Sequence, residues 1–302
     1  MKTYLECIPC FFKQAIEASS FAGANHKHIR ALLNELSRHV PRLSLAKSPP
    51  EMGKVIYGLV RKHTGRDDPF AKVKRESNSI VMREYNLIKD KVRCSKDGLL
   101  TAVELAIAGN IIDYGVASRL DVSKEVDRIL SQEKRVIEDE GERLFNYRQF
   151  KRLLKNAKHI LYIADNAGEI VFDKILIEEI KSMYPDKTIV VAVKERPIIN
   201  DALKKDAAQC GLDRIVKVIS SGMDIPGTIL GLCSKEFLRA YKNADMIISK
   251  GQGNFEALSE KDKDLFSLFM AKCPVVARDI GCDIGAVILS YNKQRHRPVR
   301  NR

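Results

Sequence analysis

Asp165 and Asn166 stand side by side where the apolar run of "LYIADNAGEIVFD" (161–173) stops, and Asp201 follows in "KERPIINDA". Two carboxylates and a carboxamide form a hard, all-oxygen donor set. Such a set suits Mg²⁺ or Mn²⁺, tolerates Co²⁺ or Ni²⁺, and leaves coordination positions for water and substrate. Read alone, the pair has a second meaning, because Asp and Asn also cap helices and a helix can begin at "AGEI". Lys250 ends another apolar run and opens "KGQGNFEAL", where Gly251 and Gly253 expose backbone N–H groups beside an ammonium, an arrangement able to receive a phosphate. Ser220 and Ser221 in "SSGMDIPGT" add hydroxyls and further loop N–H groups. Arg196 and Arg278 either touch the substrate or form surface ion pairs. Cys7 and Cys10 make one C-x-x-C near a helix start, where a second metal or a redox role competes with simple core packing; His26 and His28 are the residues that could complete a metal site.

The elements that must position these residues change along the chain. Residues 1–150 show helical spacing, as in Leu5, Phe12, Ala15, Ile16 and Ile29, Leu32, Leu33, Leu36, which predicts a helical domain. "GRDDPF" predicts a helix start with Asp68 as cap and Pro69 in the first turn. "LLTAVELAIAGNIIDYG" predicts a nearly buried helix in which Asn110 and Asp113, three apart, share one face as core anchors or cleft-lining groups. Residues 124–143 predict a solvated charged helix. In residues 151–292, "HILYIA", "KTIVVAV", "RIVKVIS", "DMIISK", "PVVA" and "AVILSY" alternate with helical segments, which predicts an α/β domain with a mainly parallel, Rossmann-like sheet flanked by helices. Ligands bind beyond the carboxyl ends of strands in such sheets, where Asp165, Asp201, Ser220 and Lys250 fall. If the first two strands are neighbours, their ends lie about 5 Å apart and one cation can touch both carboxylates.

Length and composition set outer bounds. A chain of 302 residues with 45% hydrophobic and 30% charged residues has the make-up of a globular protein, and no run approaches the ~18 apolar residues of a membrane helix. The N-terminus lacks the apolar core of a signal peptide, which leads to the expectation of a cytoplasmic protein with no membrane partner. Of the net charge of +13, five charges sit in the basic tail 293–302 (Lys293, Arg295, Arg297, Arg300, Arg302), and no zinc-finger, basic-zipper or ribonucleoprotein signature accompanies the rest, which argues against nucleic acid as the main partner. Seven scattered cysteines argue against a disulfide framework.

Taken in order, "ADNAGEIVFD", "KERPIINDA", "GMDIPGT" and "KGQGNFEAL" resemble the signatures of the metal-dependent damage-control phosphatases, and "ECIPCFFKQA", "DDPFAKVK" and "AGNIIDYG" resemble the N-terminal elements of their prokaryotic, mainly archaeal branch. The resemblance implies a helical domain on a Rossmann-like domain, a divalent metal (Mn, Co, Ni or Mg) on Asp165, Asn166 and Asp201, and a phosphate-binding lysine at Lys250. It also implies a small phosphate ester as substrate, hydrolysed with Asp165 and Lys250 in the catalytic machinery. Water is the expected nucleophile, since the chain lacks the Asp-x-Asp pair of aspartyl phosphatases, with attack by Asp165 itself as the alternative. Rival readings are an S-adenosylmethionine-dependent carboxyl methyltransferase, for which "ADNAGE" carries a single glycine where a Gly-rich turn is wanted, and a non-catalytic metal or nucleic-acid binding protein.

Overall fold

A computed structural model describes residues 1–109, residues 122, 124, 126 and 127, and residues 143–295. Helices α1 (Cys7–Phe21), α2 (His26–His39) and α3 (Pro49–Thr64) pack on one another around Phe11, Leu32, Leu36, Ile56 and Val60. The third of these is fixed at both ends by local chemistry. Ser48 and Glu51 form a reciprocal capping box, Pro49 occupies the first turn, and Gly65 ends the helix in the left-handed region.

Helices α4 (Ala71–Arg83), α5 (Tyr85–Cys94) and α6 (Gly98–Ala108) join a different core, packing with the sheet around Val81, Ile88, Val103 and Ile107. Residues 1–109 therefore divide between two cores. Asp68 does not cap α4, whose N-cap is Phe70; its carboxylate instead pairs with Lys74 at 2.9 Å and Lys205 at 3.2 Å, an exchange of a cap for two cations. Asp97 does cap α6, accepting from the Leu100 N–H. Most of the charged segment 124–143 lies outside the described residues.

Helix α7 (Tyr147–Asn156) leads into a six-stranded sheet of order β3-β2-β1-β4-β5-β6, with β1 His159–Ile163, β2 Thr188–Val193, β3 Lys217–Ser220, β4 Met246–Lys250, β5 Leu265–Met270 and β6 Val287–Tyr291. All neighbours are parallel except β5 and β6. Between the strands run α8 (Glu169–Met183), α9 (Lys204–Gln209), α10 (Lys235–Asn243), α11 (Gln252–Leu258) and α12 (Pro274–Ile280), with α13 (Asn292–Arg295) after β6. Strands β4 and β6 are buried along their whole length, as a sheet covered on both faces requires. The predicted fifth strand is corrected: "PVVA" is the first turn of α12, with Pro274 at its start, and the strand is "LFSLFM" upstream. Pro cannot donate to a central ladder but suits the first turn of a helix. Arg278 accordingly sits on a helix and not at a strand end, while Lys272 follows β5. Among the described residues no helix is long and apolar enough to cross a membrane.

Candidate active site

Strands β1 and β4 are adjacent although far apart in sequence, so the chain reverses its winding direction between them, and a crevice opens at their carboxyl ends. The loop after β1 is zipped to the loop after β2. The Ala202 N–H donates to the Asp165 carbonyl at 2.7 Å, the Ala167 N–H donates to the Asn200 carbonyl at 2.9 Å, and Asn166 and Asp201 face each other as an antiparallel bridge. Asp165, Asn166 and Asp201 are thereby brought together. Neither Asp165 nor Asn166 caps α8, whose N-cap is Gly168 without any side-chain cap; the Asn166 Nδ2 instead donates to Asp165 Oδ2 at 2.8 Å and to Glu169 Oε2 at 3.1 Å. Turning its nitrogen to two carboxylates makes Oδ1 the atom of that amide able to face a cation.

Three devices hold this constellation. Gly251, at φ 83° and ψ 153°, lies against the Asp165 carboxylate so closely that a Cβ there would sit 2.6 Å from Oδ1. Ile199, two residues before Asp201, has φ 42°, a left-handed conformation that β-branched residues avoid and that costs on the order of 1–3 kcal/mol. Buried Asn78 on α4 accepts from the Gly168 N–H at 2.6 Å and donates to Asp206 and Gln209, tying the β1 loop to α9.

The electrostatics follow from burial. It raises the Asp165 carboxyl well above the usual range, reinforced by Asp201 and Glu169 and opposed by Lys194 and Lys250. Burial likewise pushes Asp201 up to about 6, against the pull of Lys194, whose ammonium lies 3.5 Å from Asp201 Oδ2 and donates to the Gly227 carbonyl. Asp201 Oδ2 is buried and accepts no hydrogen bond. With the Lys194 ammonium as its ion-pair partner, Asp201 still leaves a second buried carboxylate, Asp165, beside it, and that excess of negative charge is what a divalent cation would offset. Among the described residues no three or more His, Cys, Asp or Glu side chains converge to hold a metal, so a cation here would have to rest on two carboxylates, the Asn166 amide and non-side-chain oxygens.

Lys250 is at the predicted strand end but is completely buried, donating to Glu169 Oε1 at 2.5 Å, Asp173 Oδ1 at 2.6 Å and the Ala106 carbonyl at 2.7 Å. Burial works against its charge, yet Asp173 and Glu169 outweigh that and hold its pKa above the ordinary lysine value. Asp173, which also accepts from Tyr162 at 2.6 Å, is raised by burial to about 6. The lysine thus ties α6, α8 and β4 together beneath the site, and it does not line the cleft.

That cleft, of about 340 Å³, is lined by Asp165, Asn166, Asp201, Gly227, Lys272 and Glu256 among polar groups, with Phe11, Tyr57, Pro50 and Ile199 on its apolar walls. Cys7, Cys10 and Cys273 line it as well. Burial lifts the Cys7 thiol, and although Cys10 remains exposed at the mouth, the protein around its sulfur lifts that one too, opposite to what a reactive thiolate needs. His26 and His28 are exposed on α2, away from the cleft lining. Ser220 donates to Glu195, Ser221 accepts from the Met223 N–H at 3.3 Å, and neither lines the cleft. Arg196 is exposed, and Arg278 pairs with Glu6 at 2.9 Å. Asn110 and Asp113 lie outside the described residues.

Lys272, Glu256 and the Glu169–Asp173 pair went unselected by sequence reasoning. The pair did leave a signal, two acids at i and i+4 on the otherwise apolar helix "EIVFDKIL".

Comparison with known proteins identifies the family. A family model for the Damage-control phosphatase ARMT1-like domain matches residues 3–288. A damage-control phosphatase of Pyrococcus horikoshii is 38% identical over 296 residues, covering 97% of this chain and 99% of that protein. A damage-control phosphatase of Archaeoglobus fulgidus is 36% identical over 235 residues, covering 77% and 79%. The crystal structure of a DUF89 family protein from P. horikoshii superposes with a TM-score of 0.85 at 34% identity, covering 97% of this chain and 99% of that one. With the family match spanning nearly its whole length, this chain belongs to the damage-control phosphatase family.

Proposed function

We propose that this phosphatase hydrolyses phosphomonoesters of small cytoplasmic metabolites, with a divalent cation held by Asp165, Asn166 and Asp201. The observation that carries the reading is the meeting of these three side chains in the cleft lining, with two carboxylates buried beside each other and the Lys194 ammonium paired with Asp201. The donor set is all oxygen, which favours Mg²⁺ or Mn²⁺ and admits Co²⁺ or Ni²⁺. When bound, such a cation neutralises phosphoryl charge and supplies an activated water.

The chain's own residues supply the rest. Asn166 orients Asp165 through its Nδ2, and Gly251 gives that carboxylate a seat no larger residue allows. Wedged and hydrogen-bonded in this way, Asp165 serves as a ligand and water is the nucleophile. Lys272 lines the cleft and takes the role of phosphate-facing cation that sequence reasoning gave to Lys250. Lys250 instead acts from below, its charge favouring the ionised form of Asp165. Pro50, Tyr57 and Phe11 exclude bulk water around the ester, which strengthens every electrostatic contact on the cleft floor.

Crystals grown with Mn²⁺ test the assignment. Anomalous density between Asp165 and Asp201, absent in Asp201→Ala crystals grown alike, is the expected result. Density elsewhere, or unchanged density in the variant, refutes the ligand set.

A further inference from the structure

Glu256 lies in the same cleft and has no part in the cation site. Helix α11 starts against Asp165 through Gly251, and the face carrying Gln252, Gly253 and Glu256 lines the cleft. Five residues of helical rise carry the chain about 7 Å from Gly251 to Glu256. This is the right scale for a group that meets the far side of a phosphoryl bound over Asp165 and Asp201.

A hydrogen-bond chain determines which oxygen of Glu256 can carry a proton. The Lys272 N–H donates to Gln252 Oε1 at 3.1 Å, which settles the orientation of that amide. Gln252 Nε2 must then donate to Glu256 Oε1, as it does at 2.9 Å. Oε1 is an acceptor in this arrangement, and Oε2 is the proton-bearing atom. The carboxyl is buried, and the nearby amine of Met1 is directed elsewhere, to the Glu256 backbone carbonyl at 3.1 Å and the Glu260 carboxylate at 3.2 Å. Besides Asp165 and Asp201, the other titratable groups lining the cleft are Glu6, Cys7 and Cys10 from the α1 side, Lys272 and Cys273 after β5, and Tyr57 from α3, which also brings Pro49, Pro50 and Gly53. Burial pushes the Glu256 carboxyl up to about 7, with the Gln252 hydrogen bond and the N-terminal amine pulling the other way.

We propose that Glu256 is the proton donor to the leaving oxygen of the scissile ester. The inference rests on the phosphatase reading of the cleft. As the bond between phosphorus and the ester oxygen breaks, the proton on Oε2 passes to that oxygen and the alcohol departs neutral. A water oxygen forms the new bond to phosphorus, and the proton that water loses restores Glu256 through solvent, so the cycle closes without another reactant.

The test compares phosphate release from an alkyl phosphate and from a nitrophenyl phosphate, whose leaving group needs no proton, by the full-length protein with Mn²⁺. Glu256→Gln is expected to lose roughly 100-fold or more on the alkyl ester, within the range for general acid catalysis, and at least about tenfold less on the aryl ester. The fall of alkyl-ester activity as pH rises through about 7 should vanish in the variant. Equal losses on both esters, or a pH limb that survives, overturn the proposal. If the variant does not fold, a series of wild-type leaving groups decides. Dependence on leaving-group acidity should be shallow at pH 6 and steep at pH 9, and equal slopes overturn the assignment. Wild-type protein that hydrolyses neither ester with any of the four cations refutes the phosphatase reading itself, an outcome distinct from both of these.

Discussion

Replacing Gly251 by Ala places one methyl group against the Asp165 carboxylate. The added Cβ would overlap Oδ2 and the carboxyl carbon outright and stand 2.6 Å even from Oδ1, where an ordinary contact needs 3.4 Å or more, so the carboxylate must retreat by more than about 1 Å. The backbone cannot yield instead, because its amide donates to the Leu268 carbonyl at 3.0 Å and its φ of 83° with ψ of 153° belongs to a region essentially restricted to glycine. Two separate losses follow. Strain in that region costs on the order of 1–3 kcal/mol, read as a lowered urea midpoint. Misplacement of a catalytic group by about 1 Å costs on the order of 100-fold in rate, read as kcat/KM for phosphate release with saturating Mn²⁺. Weakened Mn²⁺ binding should accompany the rate loss. An alanine variant that loses stability while keeping wild-type kcat/KM and cation affinity would show that Asp165 is not where the chemistry happens.

Further expectations concern the charges around the site. Lys250→Ala leaves Glu169 and Asp173 buried without their cation and should destabilise the fold by about 3–5 kcal/mol in chemical denaturation, whereas a mainly phosphate-binding lysine would raise KM and leave stability alone. Glu256, raised from 4.5 to about 7, binds its proton more tightly folded than unfolded; the stabilisation is full below pH 4.5 and is lost as pH rises through about 7. Glu256→Gln should flatten that fall, with a gain over wild type of up to about 3 kcal/mol at pH 8; an unchanged pH profile of the melting temperature would contradict the burial of this carboxyl. Asn78→Ala removes the acceptor of the Gly168 N–H and should cost about 1–3 kcal/mol while weakening Mn²⁺ binding through the β1 loop; cation affinity unchanged by the substitution would contradict the tie.

The parts of the site legible in the sequence are those governed by position along a strand. Asp165 and Asn166 could be placed because an apolar run ends just before them, and Asp201 because it lies in the loop that follows the next run, at the edge where parallel sheets bind ligands. What spacing cannot show is the face to which a strand-terminal side chain turns. Lys250 ends β4 as expected, but it turns toward α6 and α8, where Glu169 and Asp173 receive it. The same limit hid Lys272. "PVVA" has the composition of a strand and "LFSLFM" no clear alternation, so only the helix-starting Pro274 separates the two, and Lys272 falls before the apparent strand instead of after the true one. Residues 1–109 read correctly as helical, but their division between two cores depends on tertiary contacts with the sheet that helical periodicity does not encode.

The most direct test of the cation site is phosphate release by metal-stripped protein as Mn²⁺ is added back, with wild type beside Asp201→Ala over a panel of small phosphate esters. The account predicts no turnover without the ion, saturable recovery in wild type, and no recovery in the variant at concentrations that saturate wild type. Turnover by metal-free protein, or recovery in Asp201→Ala that matches wild type, would contradict it.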